Sequence, residues 1–361
     1  MNIRRTFNVK VIVIVVLALI AALLVIALPV LAQDGQPCAT CPVSFDTPSM
    51  LDPGSIQAAE ISQLFWFVFW MAAVVFVLVE GLLVFTICRY RNRPLSEAIQ
   101  IHGNTKLEIM WTAIPALILV VLLGFTLRTM VSVRAPVTGE PLNVTVIGHQ
   151  WWWEFQYPEL GIVTANQMLA PVDRPVNVEI RSVDVQHGFW APQLFGKMDA
   201  VPGHTNRMNF TVTAEGSYGA QCTQMCGEQH AQMRFEIIGV SAAAFQEWAA
   251  AQQQLAGPPA TEAAQRGQEV FVAKGCIACH SINGVPAATG RVGPNLTHLW
   301  SRDFIAGGIL LRTEETVRMW VHNAPSVKSG TTMPNFSDVT AANYIDEQTL
   351  GDLMAYLNTL K

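Results

Sequence analysis

Two long apolar runs stand out in the first third of the chain. Residues 64–88 read LFWFVFWMAAVVFVLVEGLLVFTIC, and residues 107–127 read LEIMWTAIPALILVVLLGFTL. Each run is long enough to cross about 30 Å of hydrocarbon as a helix. The short segment between them contains the basic sequence RYRNR. The pattern therefore predicts a two-helix transmembrane hairpin, within a region that we place at 33–130.

A further apolar run stands near residue 1 and has a different character. Basic residues precede it, and the small residue Ala32 follows it, which is typical of a secretory signal peptide over 1–32. Because the run is long for a signal peptide, an uncleaved anchor is the alternative. The arginines between the two spans place that loop in the cytoplasm. The C-terminal part is then expected on the outer face of a bacterial cell membrane.

The hydrophobic period becomes shorter over residues 131–240. Segments such as PLNVTVIGHQWWWEF, RPVNVEIRSVDV and MRFEIIGV alternate apolar and polar residues between Gly and Pro turns. Several short strands of this kind indicate a β-sandwich or a Greek-key barrel. A low-complexity stretch with Pro258 and Pro259 predicts a linker over 241–261. Residues 262–361 are interpreted as a separate helical domain.

The composition agrees with this division. Charged residues make up 14% of the 361 residues where about 25% is usual, and 51% are hydrophobic. The net charge of −5 is unremarkable, and no basic cluster suits a nucleic-acid partner. Six of the seven cysteines form three close pairs, a pattern typical of sites rather than of a disulfide scaffold. We interpret Cys38 and Cys41 as a short-loop disulfide and Cys88 as a buried thiol.

The sequence KGCIACHS contains the c-type haem attachment pattern in Cys276, Cys279 and His280. The thiols add to the porphyrin vinyl groups, and the adjacent histidine is then placed to bind the iron. Met333, in the loop GTTMPNF, is the predicted second axial ligand, since a Met/His pair suits electron transfer. A redox dithiol is the alternative. Competing axial side chains are better explained as helix surface or core: His298, His322, Met319 and Met354. The module resembles a class I cytochrome c domain.

A second cluster of ligand-type side chains lies in the sequence QCTQMCGEQHAQM at 221–233, which we call the copper loop. A disulfide between Cys222 and Cys226 is the ordinary interpretation in an oxidising compartment, but it leaves His230 and Met233 unexplained. Zinc has no use for a thioether, whereas thiolate, thioether and imidazole together indicate copper. Two cysteines allow two thiolates to bridge two copper ions.

Further ligands are expected on either side of these cysteines. His187, in VDVQHGFW, ends a strand-like run and is the predicted upstream ligand, with His149 and His204 as alternatives. The backbone carbonyl of Gln224 completes the set. We therefore predict a dinuclear copper centre with the following ligands: His187, Cys222, Gln224, Cys226, His230 and Met233.

Taken together, the motifs resemble cytochrome c oxidase subunit II in the form fused to a cytochrome c domain, as in caa-type haem–copper oxidases. The resemblance rests on LEIMWT, HQWWWEF, DVQHGFW, KMDAVPG, the copper loop and the haem motif. It implies a multidomain membrane protein with a transmembrane hairpin, a cupredoxin-like Greek-key β-barrel carrying copper A, and an all-α class I cytochrome c domain. It implies as partners oxidase subunits I and III, and an external donor such as a small cytochrome or copper protein.

The resemblance also implies roles for single residues. Trp151, the first of three consecutive tryptophans, would receive electrons, unless the tethered haem delivers them elsewhere. On a strand, Trp152 should face away from Trp151 and Trp153. Glu108 would lie near the cytoplasmic mouth of a proton path into subunit I, although an acid at the end of a span can also simply reach the interface.

Two positions depart from the family pattern. Gln224 stands where the family usually has a Glu that helps to bind magnesium at the boundary with subunit I. The backbone carbonyl still serves copper, whereas the magnesium site is in question. His204 stands where an Arg is common, which puts one contact near the subunit boundary in question.

The leading hypothesis is the electron-transfer subunit of a respiratory cytochrome c oxidase. Electrons would pass from a donor through haem c and copper A to subunit I, where oxygen is reduced to water with proton translocation. The alternative is the copper A subunit of a different terminal reductase, such as nitric oxide reductase. A membrane-tethered copper-assembly protein gives no reason for the covalent haem, and quinol oxidase subunits lack these copper ligands.

Overall fold

The computed structural model describes residues 49–92, 94, 103–135 and 139–361. The predicted signal peptide, Cys38 and Cys41 lie outside the described residues. Two long helices come first in the chain: α1, Ile56–Tyr90, and α2, Thr105–Arg134. Both helices are longer than the predicted spans. Each contains an apolar stretch long enough to cross a membrane, and the side chains of that stretch are exposed.

The two helices line a shared groove within the hairpin. Val75 and Glu80 of α1 lie on it with Ile118 and Leu122 of α2. Cys88 is exposed, so the expectation of a buried thiol is wrong for this chain by itself. The reason is that the part of α1 that lines the groove ends at Glu80, and Cys88 lies beyond it on the same helix.

Ten strands form the β domain (Leu142–Gln252). They are β1 Leu142–His149, β2 Trp152–Tyr157, β3 Ile162–Ala165, β4 Gln167–Pro171, β5 Pro175–Ser182, β6 His187–Trp190, β7 Met198–Ala200, β8 Asn206–Thr211, β9 Gly216–Cys222 and β10 Arg234–Val240. One sheet has the order β3-β2-β1-β5-β8 and the other β4-β10-β9-β6-β7. The pairs β1–β5 and β4–β10 are parallel, and the other pairs are antiparallel.

The core of the β domain is aromatic and lies between the sheets. Trp153 and Phe189 are fully buried there, and the rings of Phe189 and Phe235 stack with centroids 4.6 Å apart. Trp151 packs against this core, whereas Trp152 stacks on His149 at 4.1 Å. The three tryptophans therefore alternate as predicted for consecutive positions entering a strand.

The predicted linker over 241–261 is partly helical, which corrects the sequence-based boundary. Helix α3 spans Ala242–Gln252. Phe245 is buried in the β-domain core, and Trp248 packs edge-on against a core tyrosine with ring centroids 5.2 Å apart. The Ala- and Gln-rich composition concealed an apolar face with helical spacing. The connection without a helix or strand is confined to 253–261.

The C-terminal domain (Glu262–Lys361) has three main helices and a small hairpin. They are α4 Glu262–Ala273, β11 Phe304–Ile305, β12 Leu310–Leu311, α5 Glu314–Val327 and α6 Glu347–Leu357. Helices α4 and α6 cross so closely at Gly267 that a side chain does not fit there. A Cβ on Gly267 would lie 2.0 Å from the Asp352 carbonyl oxygen. Arg266 donates two hydrogen bonds, of 2.9 and 2.8 Å, to the Asp352 carboxylate at the same crossing.

Candidate metal centres

The copper loop joins β9 to β10, so its side chains are carried by two paired strands. The Sγ atoms of Cys222 and Cys226 lie 3.7 Å apart, well beyond a disulfide bond of about 2 Å. From the Cys226 Sγ, His230 Nδ1 lies at 3.6 Å and Met233 Sδ at 3.8 Å. The Cys222 Sγ is 3.3 Å from the Gln224 carbonyl oxygen. The histidine, methionine and carbonyl ligands predicted within the loop therefore each lie within 3.8 Å of a cysteine sulfur.

His187 reaches the same place from β6, which pairs with β9 in the sheet. A ring nitrogen of His187 and the two cysteine Sγ atoms lie within 4.8 Å of one another. The His187 ring is fully buried; its Nε2 lies 2.8 Å from Asp184 Oδ1, whereas its Nδ1 has no hydrogen-bond partner. A buried nitrogen without a partner is costly. The ring is therefore arranged to bind a cation between itself and the sulfurs.

Hydrogen bonding separates the pKa values of the two thiols. The contact with Cys226 lowers the pKa of Cys222, and the contact with Cys222 raises the pKa of Cys226. Burial opposes protonation of His187, but the hydrogen bond to Asp184 raises its pKa above the ordinary value. The thiolate is the form that binds metal, and a soft cation between the sulfurs would favour loss of both protons.

Two side chains outside the loop hold its backbone. Gln150 Nε2 donates to the Cys226 carbonyl at 2.7 Å, and Trp151 Nε1 donates to the same oxygen at 3.0 Å. Gly227 follows with a φ of +119°, and a Cβ there would lie 3.0 Å from both side chains. The position of the second cysteine is thus fixed by the segment that contains the tryptophans.

A cavity in the C-terminal domain brings the haem-type residues together. Cys276, Cys279 and His280 line it together with Met333. The two thiols are free, and burial raises the pKa of Cys276 to about 11. His280 Nδ1 lies 2.8 Å from the Pro294 carbonyl oxygen, and burial lowers the pKa of this histidine. The ring is therefore held as a neutral imidazole with Nε2 left to bind iron.

The rest of the cavity wall also fits a haem. Much of it is apolar and includes Leu296, Val317 and Phe336. Arg302 lines the cavity and is 6% exposed; it donates to the Asn295 carbonyl, but its Nε is buried without a partner. Burial lowers the pKa of Arg302 to about 10. A buried guanidinium with an unpaired donor suits an anionic group such as a haem carboxylate.

The alternative axial ligands have other surroundings. The His298 Nε2 lies 3.0 Å from the Gln252 carbonyl oxygen and is engaged in the protein core. Met354 is buried on α6, and Met319 packs against the same core. Of the methionines in the described part of the chain, Met333 is the one that lines the cavity.

The alternative copper ligands also lie elsewhere. His149 stacks on Trp152, and its Nε2 lies 3.3 Å from the Glu154 carboxylate. His204 is exposed in the turn that follows β7. Neither histidine belongs to the cluster of ring nitrogen and sulfur atoms formed by His187 and the cysteines.

Glu108 and Gln224 have ordinary polar partners. Glu108 lies in the first turn of α2, where its Oε1 accepts a hydrogen bond of 3.1 Å from the Asn104 amide. This contact stabilises the start of the helix. Gln224 Oε1 accepts a hydrogen bond of 3.2 Å from Lys197, which also lies 3.3 Å from Asp199.

Three residues of the site were missed by sequence reasoning: Asp184, Arg302 and Lys328. Asp184 precedes His187 by three positions, so a carboxylate search around each predicted histidine would have found it. Lys328 follows α5 and lines the cavity, and its Nζ donates to the Trp151 carbonyl at 2.8 Å. Its local sequence gives no indication of a partner in another domain.

The chain matches three protein families in order along its length. They are "Cytochrome C oxidase subunit II, transmembrane domain" over 45–128, "Cytochrome C oxidase subunit II, periplasmic domain" over 162–240 and "Cytochrome c" over 264–361. Cytochrome c oxidase subunit 2 of Alkalihalophilus pseudofirmus is 33% identical over 86% of this chain and 90% of that protein. The chain belongs to the cytochrome c oxidase subunit II family.

Two further relatives show how far this family extends. Cytochrome c oxidase subunit 2 of Bacillus subtilis is 31% identical over 70% of this chain and 78% of that protein. Quinol oxidase subunit 2 of the same organism is 35% identical, but over 55% of this chain and 65% of that protein.

Membership of the subunit II family confirms the predicted fold class: two transmembrane helices, a cupredoxin-like β domain and a C-terminal cytochrome c domain. The chain is a membrane-bound subunit of a cytochrome c oxidase, and its partner is oxidase subunit I. The cytochrome c domain implies haem c, and the subunit II domain implies copper A.

Proposed function

We propose that this chain passes electrons from an external donor, through haem c and then copper A, to subunit I, where oxygen is reduced to water with proton translocation. The observation that carries the proposal is the position of Trp151. It lines the cavity that holds the haem-type residues, and it donates through Nε1 to the carbonyl of Cys226 in the copper loop. One side chain thus contacts both sites.

The proposed haem ligands are Cys276, Cys279, His280 and Met333. The proposed copper ligands are His187, Cys222, Cys226, His230, Met233 and the Gln224 carbonyl. When bound, these groups supply one-electron redox chemistry, while the protein supplies geometry and polarity. The unpaired Nδ1 of His187 and the unpaired Nε of Arg302 support the two assignments.

The surrounding residues keep the copper ligands in place. Asp184 orients the His187 ring, as a carboxylate commonly does for a metal-binding histidine. Gln150 and Trp151 fix the backbone at Cys226. Because His187, Met233 and both thiols are buried, water is excluded and little reorganisation accompanies a change of charge.

The proton and magnesium roles are proposed on separate grounds. Glu108 is proposed as the mouth of a proton path into subunit I, supported by its place at the start of α2. Gln224 is neutral and its amide oxygen already accepts from Lys197, so we propose that magnesium is not bound through this side chain. The β and C-terminal domains are proposed to face the periplasm, and subunit III is a proposed partner.

The test is time-resolved reduction of the purified oxidase complex. After a light pulse reduces the haem, we expect the copper band to bleach next, and oxygen to be consumed. Trp151→Phe should slow the second step while both cofactors stay bound and the haem spectrum is unchanged. Trp248→Phe is the matched control, because this tryptophan packs on Tyr157 at the other end of β2. Bleaching that precedes haem reduction would contradict the order, and consumption of nitric oxide in place of oxygen would identify a different terminal reductase.

A further inference from the structure

The β domain and the C-terminal domain meet at a buried lysine. Lys328 is 3% exposed. Its Nζ donates to three carbonyl oxygens: Trp151 at 2.8 Å, Gln232 at 3.0 Å and Ala306 at 3.1 Å. Two of these acceptors belong to the β domain, and the third belongs to the turn between β11 and β12. One ammonium group therefore ties both domains together.

The turn between β11 and β12 fits closely around this contact. Ala306 and Gly307 have φ values of +57° and +76°, which turn the chain toward the β domain. A Cβ on Gly307 would lie 2.4 Å from Lys328 Nζ and 2.6 Å from the Trp151 carbonyl oxygen. The Gly307 carbonyl in turn accepts a hydrogen bond of 3.0 Å from the Arg234 amide. The lysine and the turn thus form one continuous contact.

Each partner of Lys328 lies next to one of the two redox sites. Trp151 lies between the haem cavity and the copper loop. Gln232 directly precedes Met233, and Met333 follows Lys328 on the same loop. A shift of the lysine would therefore change the position of the haem cavity relative to the copper loop.

The three carbonyl acceptors around Lys328 require the charged form of its side chain. An ammonium group has three N–H donors, and charge-assisted hydrogen bonds are about twice as strong as neutral ones. Burial lowers the pKa of Lys328 to about 7, which indicates the cost of placing a charge here. Other hydrogen bonds also cross the boundary; for example, the Ser329 carbonyl accepts from Gln229 at 2.7 Å.

We propose that Lys328 is the positioning residue for electron transfer between haem and copper: its ammonium group fixes Trp151 against the haem cavity. This inference rests on the electron path of the proposed function. Lys328 has no assigned contact with the reacting atoms, so its loss should slow electron transfer while both cofactors stay bound.

The first experiment compares the full-chain oxidase complex with its Lys328→Met variant at a pH below 7. We expect electron transfer from haem to copper to slow by about tenfold or more, because a small displacement of reacting groups lowers the rate strongly. The copper electron paramagnetic resonance (EPR) spectrum and the haem spectrum should stay the same. Both midpoint potentials are measured alongside, because removal of a buried charge beside the two sites changes the driving force, and the slowing should exceed what that change accounts for. Lys328→Arg keeps the charge and should restore part of the rate.

A second measurement reports on the contact itself. The Arg234 amide donates across the boundary to Gly307, and the Asp303 amide donates across it to Gln167 Oε1 at 2.7 Å. Hydrogen exchange at both amides should accelerate in Lys328→Met. Lys274→Met is the matched control, because that lysine donates to the Tyr344 carbonyl at 2.6 Å within its own domain. It should change neither amide.

The outcomes separate the two proposals. An unchanged transfer rate or unchanged amide exchange in a well-folded Lys328→Met overturns the role of Lys328. If that variant does not accumulate, Gly307→Ala provides the test. Its added Cβ would displace the contact between Lys328 and the Trp151 carbonyl, so electron transfer from haem to copper must become slower, and an unchanged rate overturns the role of Lys328. Absence of haem-to-copper transfer in the unaltered complex would refute the proposed function, and this inference with it.

Discussion

The copper loop and the haem cavity differ in how far their ligands are assembled by the protein itself. At the copper site, a ring nitrogen of His187 and the two cysteine sulfurs lie within 4.8 Å of one another. His187 and Cys222 stand on strands that are already paired, and Cys226 lies in the loop that follows. In the C-terminal domain, His280 and Met333 line a cavity and stand on loops. The sheet fixes a compact site before metal binds, whereas the helical domain leaves a space that its cofactor must fill.

The largest expected effect tests the compact site. Cys222→Ser removes one of the two sulfurs, so we expect complete loss of an EPR signal from one electron shared by two coppers. The haem spectrum should be unchanged, because the haem residues lie in the other domain. Cys88→Ser removes an exposed thiol on α1 and serves as the control. Survival of the two-copper signal in Cys222→Ser would exclude the proposed bridging role.

The second prediction tests the open site. Replacing both Cys276 and Cys279 by Ala should yield a chain without haem, in which the apolar cavity has nothing to pack against. Hydrogen exchange should then become fast throughout α4, α5 and α6, while the strands of the β domain keep their protection. Removing copper with a chelator should leave both domains protected. Equal protection of the C-terminal helices with and without haem would show that the cavity is as preassembled as the copper loop.

A smaller effect is expected from the residue that orients His187. Asp184→Asn keeps the shape but weakens the hydrogen bond to the ring, so copper affinity should fall by about 10- to 100-fold. Competition with a copper chelator measures this directly. Asp173→Asn, at a turn position with a φ of +60° that Asn tolerates, is the matched control. Equal affinities in the two variants would mean that the sheet alone orients the ring.

The smallest effect concerns the crossing of α4 and α6. Arg266 lowers the pKa of Asp352 below its ordinary value of 3.8, so the pair stabilises the fold above that pH and loses its effect as the pH falls through the lowered pKa. Arg266→Gln should therefore lower the haem-monitored unfolding temperature slightly at pH 7. The two curves should converge in acid. A difference that persists below the lowered pKa would point to lost packing instead of lost charge.

Local patterns predicted the parts of the site that lie close together in sequence. The ligands of the copper loop share thirteen consecutive residues, and His280 follows Cys276 by four positions. The alternation of Trp151, Trp152 and Trp153 followed from strand geometry in the same way. Spacing is informative here because neighbouring residues have few relative placements.

Other features required the folded chain. The Ala- and Gln-rich sequence of helix α3 predicts a linker, whereas the packing of the helix depends on the contact of Phe245 with the β-domain core. Lys328 contacts Trp151 although the two are far apart in sequence, and no local period records such a partner. Because every residue has a backbone carbonyl, the identity of the acceptor residue does not indicate such a long-range hydrogen bond.

Helix α3 also sets the reach of the C-terminal domain. Because α3 is packed on the β domain, the connection between the domains runs only over 253–261, and nine extended residues span at most about 30 Å. A tether of this length keeps the local concentration of the second domain in the millimolar range. Diluting the protein therefore cannot separate the two domains, and after any transient opening the domains re-dock as a first-order process whose rate is independent of how much protein the membrane contains.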